Sequence, residues 1–282
     1  MSAKNRLWYL IGVLLLLAGL AHLGVLAVAG GPWDGPVSWR KPFTFGVSFG
    51  LSVLTLAWVA RWLPLRPRAR GLLVGAFTVA SVLEVTLISL QAWRGVPSHF
   101  NMETGLDTLV SRGLAGAGGV LIAVVVAMTI AAFRPNPAVP PSVRLAVRAG
   151  FATLLAAMAV GGVMIARGVI AVTTGDQRLA YTIGTSMKPA HAVLMHGVLL
   201  LPALAWLLSH TRRAERDRVR LVRLATWTYV AVAGAVSVLA LAGYAPISPS
   251  TASVLCAGAV SGLGVGALVL DRAGIGSGAE RP

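Results

Sequence analysis

Apolar residues run in long, nearly unbroken blocks along this chain, and polar residues collect in the short gaps between them. The blocks fall near 7–30, 43–63, 71–92, 114–133, 149–171, 190–209, 224–243 and 251–270. Each reaches the ~18–20 residues that a helix needs to cross about 30 Å of hydrocarbon. Backbone groups in hydrocarbon must bond one another, which a helix does within a single segment. Gly31-Pro32, Pro64 to Pro67, Pro135 to Pro141 and Pro246 to Pro249 punctuate the gaps. The pattern predicts an all-α integral membrane protein with eight transmembrane helices. It forms one polytopic domain over 1–282, with a C-terminal tail at 271–282.

Lysine and arginine set the expected orientation. With the N-terminus inside, 17 of the 24 cations fall in cytoplasmic segments and six in outer ones, while Arg167 lies within the fifth block. That asymmetry obeys the positive-inside rule and puts both termini in the cytoplasm. Lys4 and Arg6, with Ala27-Val28-Ala29 further on, resemble a secretory leader. The first block is longer than the ~7–15-residue core of a leader, so an uncleaved helix is expected.

A repeat is weighed next. Lys41-Pro42 opens the second block and Lys188-Pro189 the sixth, with Gly50 and Gly197 at the same offset from each. Parallel halves at 1–134 and 144–270 would explain this; so would a general preference for proline in the first turn of a helix. Small residues mark close helix packing at Gly258, Gly262 and Gly266, and at Ala152/Ala156 and Ala157/Gly161. The glycine face of the last block is a candidate surface for a homo-oligomer. Pro202 predicts a kink in the sixth block.

Composition narrows the class further. Of 282 residues, 56% are hydrophobic and 12% charged, with a mean hydropathy of +0.79. Soluble domains carry about 25% charged residues, so a soluble enzyme and a disordered chain are both excluded. The net charge of +15 sits mostly in the gaps, where anionic lipid and topology account for it, and no nucleic-acid partner is expected. The partner is the lipid bilayer. One cysteine, Cys256, allows no intrachain disulfide and no cysteine cluster for a metal. Rich use of Ala, Arg, Gly and Val points to a bacterial inner membrane.

The chemistry is concentrated on the outer side. Three outer segments mix Trp, Arg, His, Asn and Gln: 31–42, 91–101 and 176–191. Trp33, Trp39 and Trp93 suit an interfacial belt. Arg40, Lys41, Arg94, His99, Arg167 and Lys188 are candidates for holding an anionic or lipid-soluble substrate.

Within the hydrocarbon, His22, Glu84, His196 and Ser48 all lie ~10–12 Å below the outer surface. An ionisable side chain at that depth costs at least ~2–3 kcal/mol unless it is paired or wetted, which makes it a candidate functional group. Glu84 and Gln91 share a helix face that leads to Arg94. Glu84, Ser48 and Gln91 are therefore candidate catalytic groups.

Two imidazoles and a carboxylate, His22, His196 and Glu84, form a ligand set for zinc or iron. His22 with His196 or His191 could instead clamp a haem. The leading expectation is a metal- or haem-dependent membrane enzyme or redox protein. The alternatives are a proton- or cation-coupled transporter using Glu84, and a non-catalytic membrane partner whose buried charges only pair with one another.

Overall fold

The computed structural model describes residues 3–182 and 184–243, and among these every regular element is helical. The chain forms two compact units. One comprises Met1–Arg61, Leu65–Met128 and Gly162–Thr185; the other comprises Trp62–Pro64, Thr129–Gly161 and Ser186–Pro282. The helices are α1 (Ala3–Ala29), α2 (Arg40–Val59), α3 (Pro67–Trp93), α4 (Gly105–Phe133), α5 (Pro141–Thr173), the short α6 (Gln177–Thr182), α7 (Lys188–Ser209) and α8 (Glu215–Leu241). Seven helical stretches are long and apolar enough to cross a membrane, with α6 and α7 forming one of them. They match the first seven expected spans. The eighth, at 251–270, lies outside the described residues, as do Cys256, the Gly258/Gly262/Gly266 face and the 271–282 tail.

Three helices begin well before their apolar blocks: α4 at Gly105, α5 at Pro141 and α8 at Glu215. Hydropathy reports where hydrocarbon ends, whereas helix formation also tolerates Arg, Glu and Leu beyond that boundary. Pro67 and Pro189 sit in first turns, where the missing N–H is no loss, and Pro202 is buried inside α7.

In the first unit α1 and α2 pack through glycines. A Cβ on Gly46 would stand 2.6 Å from the Gly19 Cα, and one on Gly50 would stand 2.6 Å from the Leu16 nitrogen. The two backbones are therefore nearly in contact, the arrangement that small residues permit where lipid supplies no hydrophobic drive. α3 lies against both helices, and Ile88, Val110 and Leu114 join α3 to α4 in a small apolar core with Phe45 and Leu87 against it.

The second unit repeats this logic. A Cβ on Gly150 would stand 2.8 Å from the Val198 Cα, which brings α5 and α7 together. The Tyr229 hydroxyl of α8 donates to the Val193 carbonyl of α7. Ala157 is fully buried on α5 and Gly161 lies against the His191 ring, while Ala152 and Ala156 are exposed. Among the described residues Ala157/Gly161 is a packing face and Ala152/Ala156 is not.

Arginines counted for topology also tie this unit together. Arg148 donates to the Ala132, Phe133 and Arg134 carbonyls at 3.1–3.3 Å, satisfying the free C-terminal groups of α4. Glu215 accepts the Ser142 N–H at 2.8 Å at the start of α5.

Candidate functional site

The segments joining α1 to α2 and α3 to α4 meet at one end of the first unit, the start of α6 bonds the second of them, and α3 carries the buried polar side chains that lead away from them. Its inward face presents Thr78, Ser81, Glu84, Ile88 and Gln91, all buried. The period is helical, so a single stripe is turned into protein. Thr78 and Ser81 donate back to the Val74 and Phe77 carbonyls at 2.8 and 2.7 Å, a local bond that hydroxyls make readily inside apolar helices. Glu84 has no such outlet. It is 5% exposed and its Oε2 is buried without a hydrogen-bond partner. Oε1 looks toward Gly118 of α4, where a Cβ would lie 3.9 Å away. The charge that acts on the carboxylate is the Lys41 ammonium of α2. Arg167, a candidate for holding substrate, is exposed on α5.

Above Glu84 the stripe ends in a polar knot. Gln91 Nε2 donates to Asp107 Oδ1 at 2.9 Å, Arg94 pairs with the same oxygen at 2.6 Å, and Arg94 also bonds Gln91 Oε1. Thr104 donates to Asp107 Oδ2 at 2.6 Å and accepts the Asp107 N–H at 3.1 Å. The second of these is an N-cap bond at the start of α4, and the first ties the capping hydroxyl to the Asp107 carboxylate. Asp107 is not among the candidate residues named above, although Thr104-Gly-Leu-Asp107 is a legible capping signal. Gln91 and Arg94, expected to act on a substrate, are held in this knot and fasten α3 to α4.

The α3–α4 segment is tightly specified. Phe100 adopts φ +62°, a left-handed conformation unusual for a bulky residue. Its N–H donates to Ser111 Oγ at 3.1 Å, its carbonyl accepts from Gln177 Nε2, and its ring covers Gly168 so closely that a Cβ there would overlap it. Beside it, Ser98 Oγ lies 3.0 Å from His99 Nδ1, and the His99 ring packs against Phe45 and Phe100. Burial, helped by the nearby Lys41 charge, pushes the His99 imidazole down to about 3. Asn101 is fully buried; its Oδ1 caps the Glu103 N–H, while its Nδ2 has no partner.

A shallow pocket with a cavity volume of about 10 Å³ opens between the start of α2 and the end of α3, lined by Val37, Ser38, Lys41, Ala92, Val96 and Ser98 among others. Arg40, next to it, is committed elsewhere: it pairs with Asp34 at 3.1 Å and donates to the Trp33 carbonyl at 2.7 Å.

The histidines all face hydrogen-bond acceptors. His22 Nδ1 lies 2.8 Å from the Ala18 carbonyl, and Trp93 Nε1–H donates to His22 Nε2 at 3.2 Å. An indole N–H can only donate, so Nδ1 carries the His22 hydrogen. Trp39 stacks on the same ring at 6.1 Å and meets Trp93 edge-on at 4.8 Å. In the second unit His191 Nδ1 bonds the Ala157 carbonyl at 2.7 Å, and His196 Nδ1 bonds the Ala192 carbonyl at 2.6 Å. Lys188 begins α7, and Ser48 is half-buried on α2.

Among the described residues no group of three His, Cys, Asp or Glu comes together to hold a metal ion. The zinc, iron or haem centre expected on His22, Glu84 and His196 gains no support, and no chemistry is routed through one. The chain matches no protein-family model, no characterised protein and no solved structure. Its apolar helices define a multi-pass membrane protein, and any finer reading rests on the site.

Proposed function

We propose that this protein moves ions across its membrane, with Glu84 as the carboxylate that binds a proton or small cation on the way. One observation carries the reading: a carboxylate oxygen buried among transmembrane helices without a hydrogen-bond partner. Such a group is too costly to keep for packing alone, and a pairing role would fill it. The polar face of α3 supports the same reading. From Gln91 to Thr78 it spans about 20 Å of helix, so hydroxyls continue past Glu84 toward the arginine-rich end. Thr55, buried on α2, lies as many residues from Arg40 at the start of its helix as Thr78 lies from Trp93 at the end of α3.

Enzymatic chemistry retains one observation, the Ser98–His99 pair beside the pocket. A histidine held near 3 is a weak proton acceptor at neutral pH, which ranks that reading second.

The test is proton movement in proteoliposomes that enclose a pH dye. The medium contains sodium, potassium, chloride and phosphate, so that common co-ions are on hand. The wild type should change internal pH when an ion gradient or potential is imposed. Glu84→Gln should fall to the leak of protein-free vesicles, and Glu84→Asp should retain part of the rate. Equal rates in wild type and Glu84→Gln would overturn the proposal.

A further inference from the structure

Three features stand apart from the Glu84 stripe: the His22–Trp39–Trp93 cluster, the buried Asn101 amide, and the outward face of α8 in the second unit. The α8 face goes furthest, because its register, charge and depth together limit what could cover it.

We infer that this face holds an anionic phospholipid, its phosphate bound by Arg216, Arg220 and Arg223. Register is the first argument. At about 100° per residue, Arg216, Arg220, Arg223 and Trp227 fall within about 60° of one another on α8. The buried residues Val222, Ala225, Tyr229 and Ala233 take the other side, where the Tyr229 hydroxyl bonds α7. The arginine stripe is therefore turned away from the protein contacts of its own helix. The Arg216 and Arg220 side chains are 81% and 77% exposed, and Arg223 and Trp227 are exposed as well.

Charge is the second argument. The nine residues from Glu215 to Arg223 contain four arginines and two carboxylates. Two of these groups are spent on the protein. Glu215 accepts the Ser142 N–H and pairs with Arg218 at 3.6 Å, and Arg218 donates to the Thr211 carbonyl at 2.8 Å. Three guanidiniums on the stripe are left against one carboxylate, Asp217, which stands 3.6 Å from Arg220 and 4.0 Å from Arg216. Exposed pairs of that length are weak, and a phosphate offers the guanidinium fork a better-matched acceptor.

Depth is the third. Trp227 lies about 6 Å further along the helix than Arg223, and exposed Val230, Gly234 and Val238 continue on the same side. Arginine, tryptophan and then apolar surface is the order of headgroup, interface and acyl chain in one leaflet. A soluble acidic partner would leave the apolar half of the face uncovered. A second copy, paired about a two-fold axis along the membrane normal, would set these arginines against their own counterparts. The occupant that satisfies both halves is a lipid of net negative charge.

The test is made in nanodiscs of equal parts phosphatidylglycerol and phosphatidylcholine, with bromine on the acyl chains of one lipid or the other. Bromine quenches tryptophan on contact, and the Trp227 signal is isolated by subtracting a Trp227→Phe variant. Phosphatidylglycerol should contact wild-type Trp227 about five times as often as phosphatidylcholine does. Arg216→Gln/Arg220→Gln/Arg223→Gln should bring that ratio close to one. A charge-matched variant, Arg66→Gln/Arg68→Gln/Arg134→Gln, removes three exposed arginines elsewhere and should keep the preference. Equal quenching of wild-type Trp227 by the two lipids overturns the inference. Quenching by neither overturns it too, since protein would then cover the face. An equal loss of preference in the two triple variants also overturns it, because net charge rather than the stripe would then attract the lipid. The wild-type comparison decides the matter even where a variant fails to fold, and it does not depend on Glu84.

Discussion

At the scale of single residues, the described part of the first unit contrasts groups that are satisfied with groups that are not. Asp107 is nearly inaccessible, yet it receives Gln91, Arg94 and Thr104, so its charge is fully met. Glu84, two turns of α3 below Gln91, has one oxygen with no partner. His99 makes a different contribution, to stability. Its folded imidazole sits near 3 against an ordinary 6.5, so between those values the unfolded chain binds a proton that the folded chain does not. Stability from this group is therefore complete above about pH 6.5 and is lost as pH falls toward 3. Thermal unfolding of the purified protein should show a falling Tm below pH 6.5, and His99→Gln should flatten that limb. His99 as a residue is half-buried, so the slope should be shallower than a fully enclosed imidazole would give. A His99→Gln profile parallel to the wild type would show that other groups cause the acid loss.

At the scale of elements, the apolar blocks were legible because hydrocarbon demands them. The contacts between helices were less legible. Gly46-Val-Ser-Phe-Gly50 carries the spacing of a close helix crossing, and it does bring α2 onto α1. Gly50 has a place in the weighed repeat as well as in this pattern, and the repeat does not point to the crossing. A Cβ on Gly24 of α1 would meet nothing within 4 Å among the described residues, so a glycine in an apolar helix is not by itself a contact glycine. The two make a matched test. Gly46→Leu should destabilise by more than the ~1–3 kcal/mol typical of overpacking, since backbone rather than a movable side chain lies in the way. Gly24→Leu should be neutral. Monodisperse yield and Tm in detergent report both, and equal tolerance of the two changes would mean that α1 and α2 do not cross at these glycines. The polar site was partly legible for a similar reason. Depth singled out Glu84, but the partners of Gln91 and Arg94 come from α4, and periodicity within one helix cannot supply a neighbour on another.

At the scale of the whole chain, the seven apolar helical stretches make a multi-pass membrane protein, and the open question is which way it faces. The cation asymmetry argues for an inside N-terminus, so that the α3–α4 segment and the Lys41 pocket lie outside. The same arginines hold carbonyls and helix starts at their own end, as Arg148 does, so structure alone could account for some of them. Orientation therefore needs its own measurement. With Cys256 replaced by Ser, a single cysteine at Glu103, which is exposed between α3 and α4, should react with a membrane-impermeant maleimide in intact cells. A cysteine at Arg216, 81% exposed at the start of α8, should react only after the cells are opened. The opposite pattern would invert the protein and place the pocket in the cytoplasm. Glu84 would then lie near the cytoplasmic end of the ion path, with Thr78 leading outward.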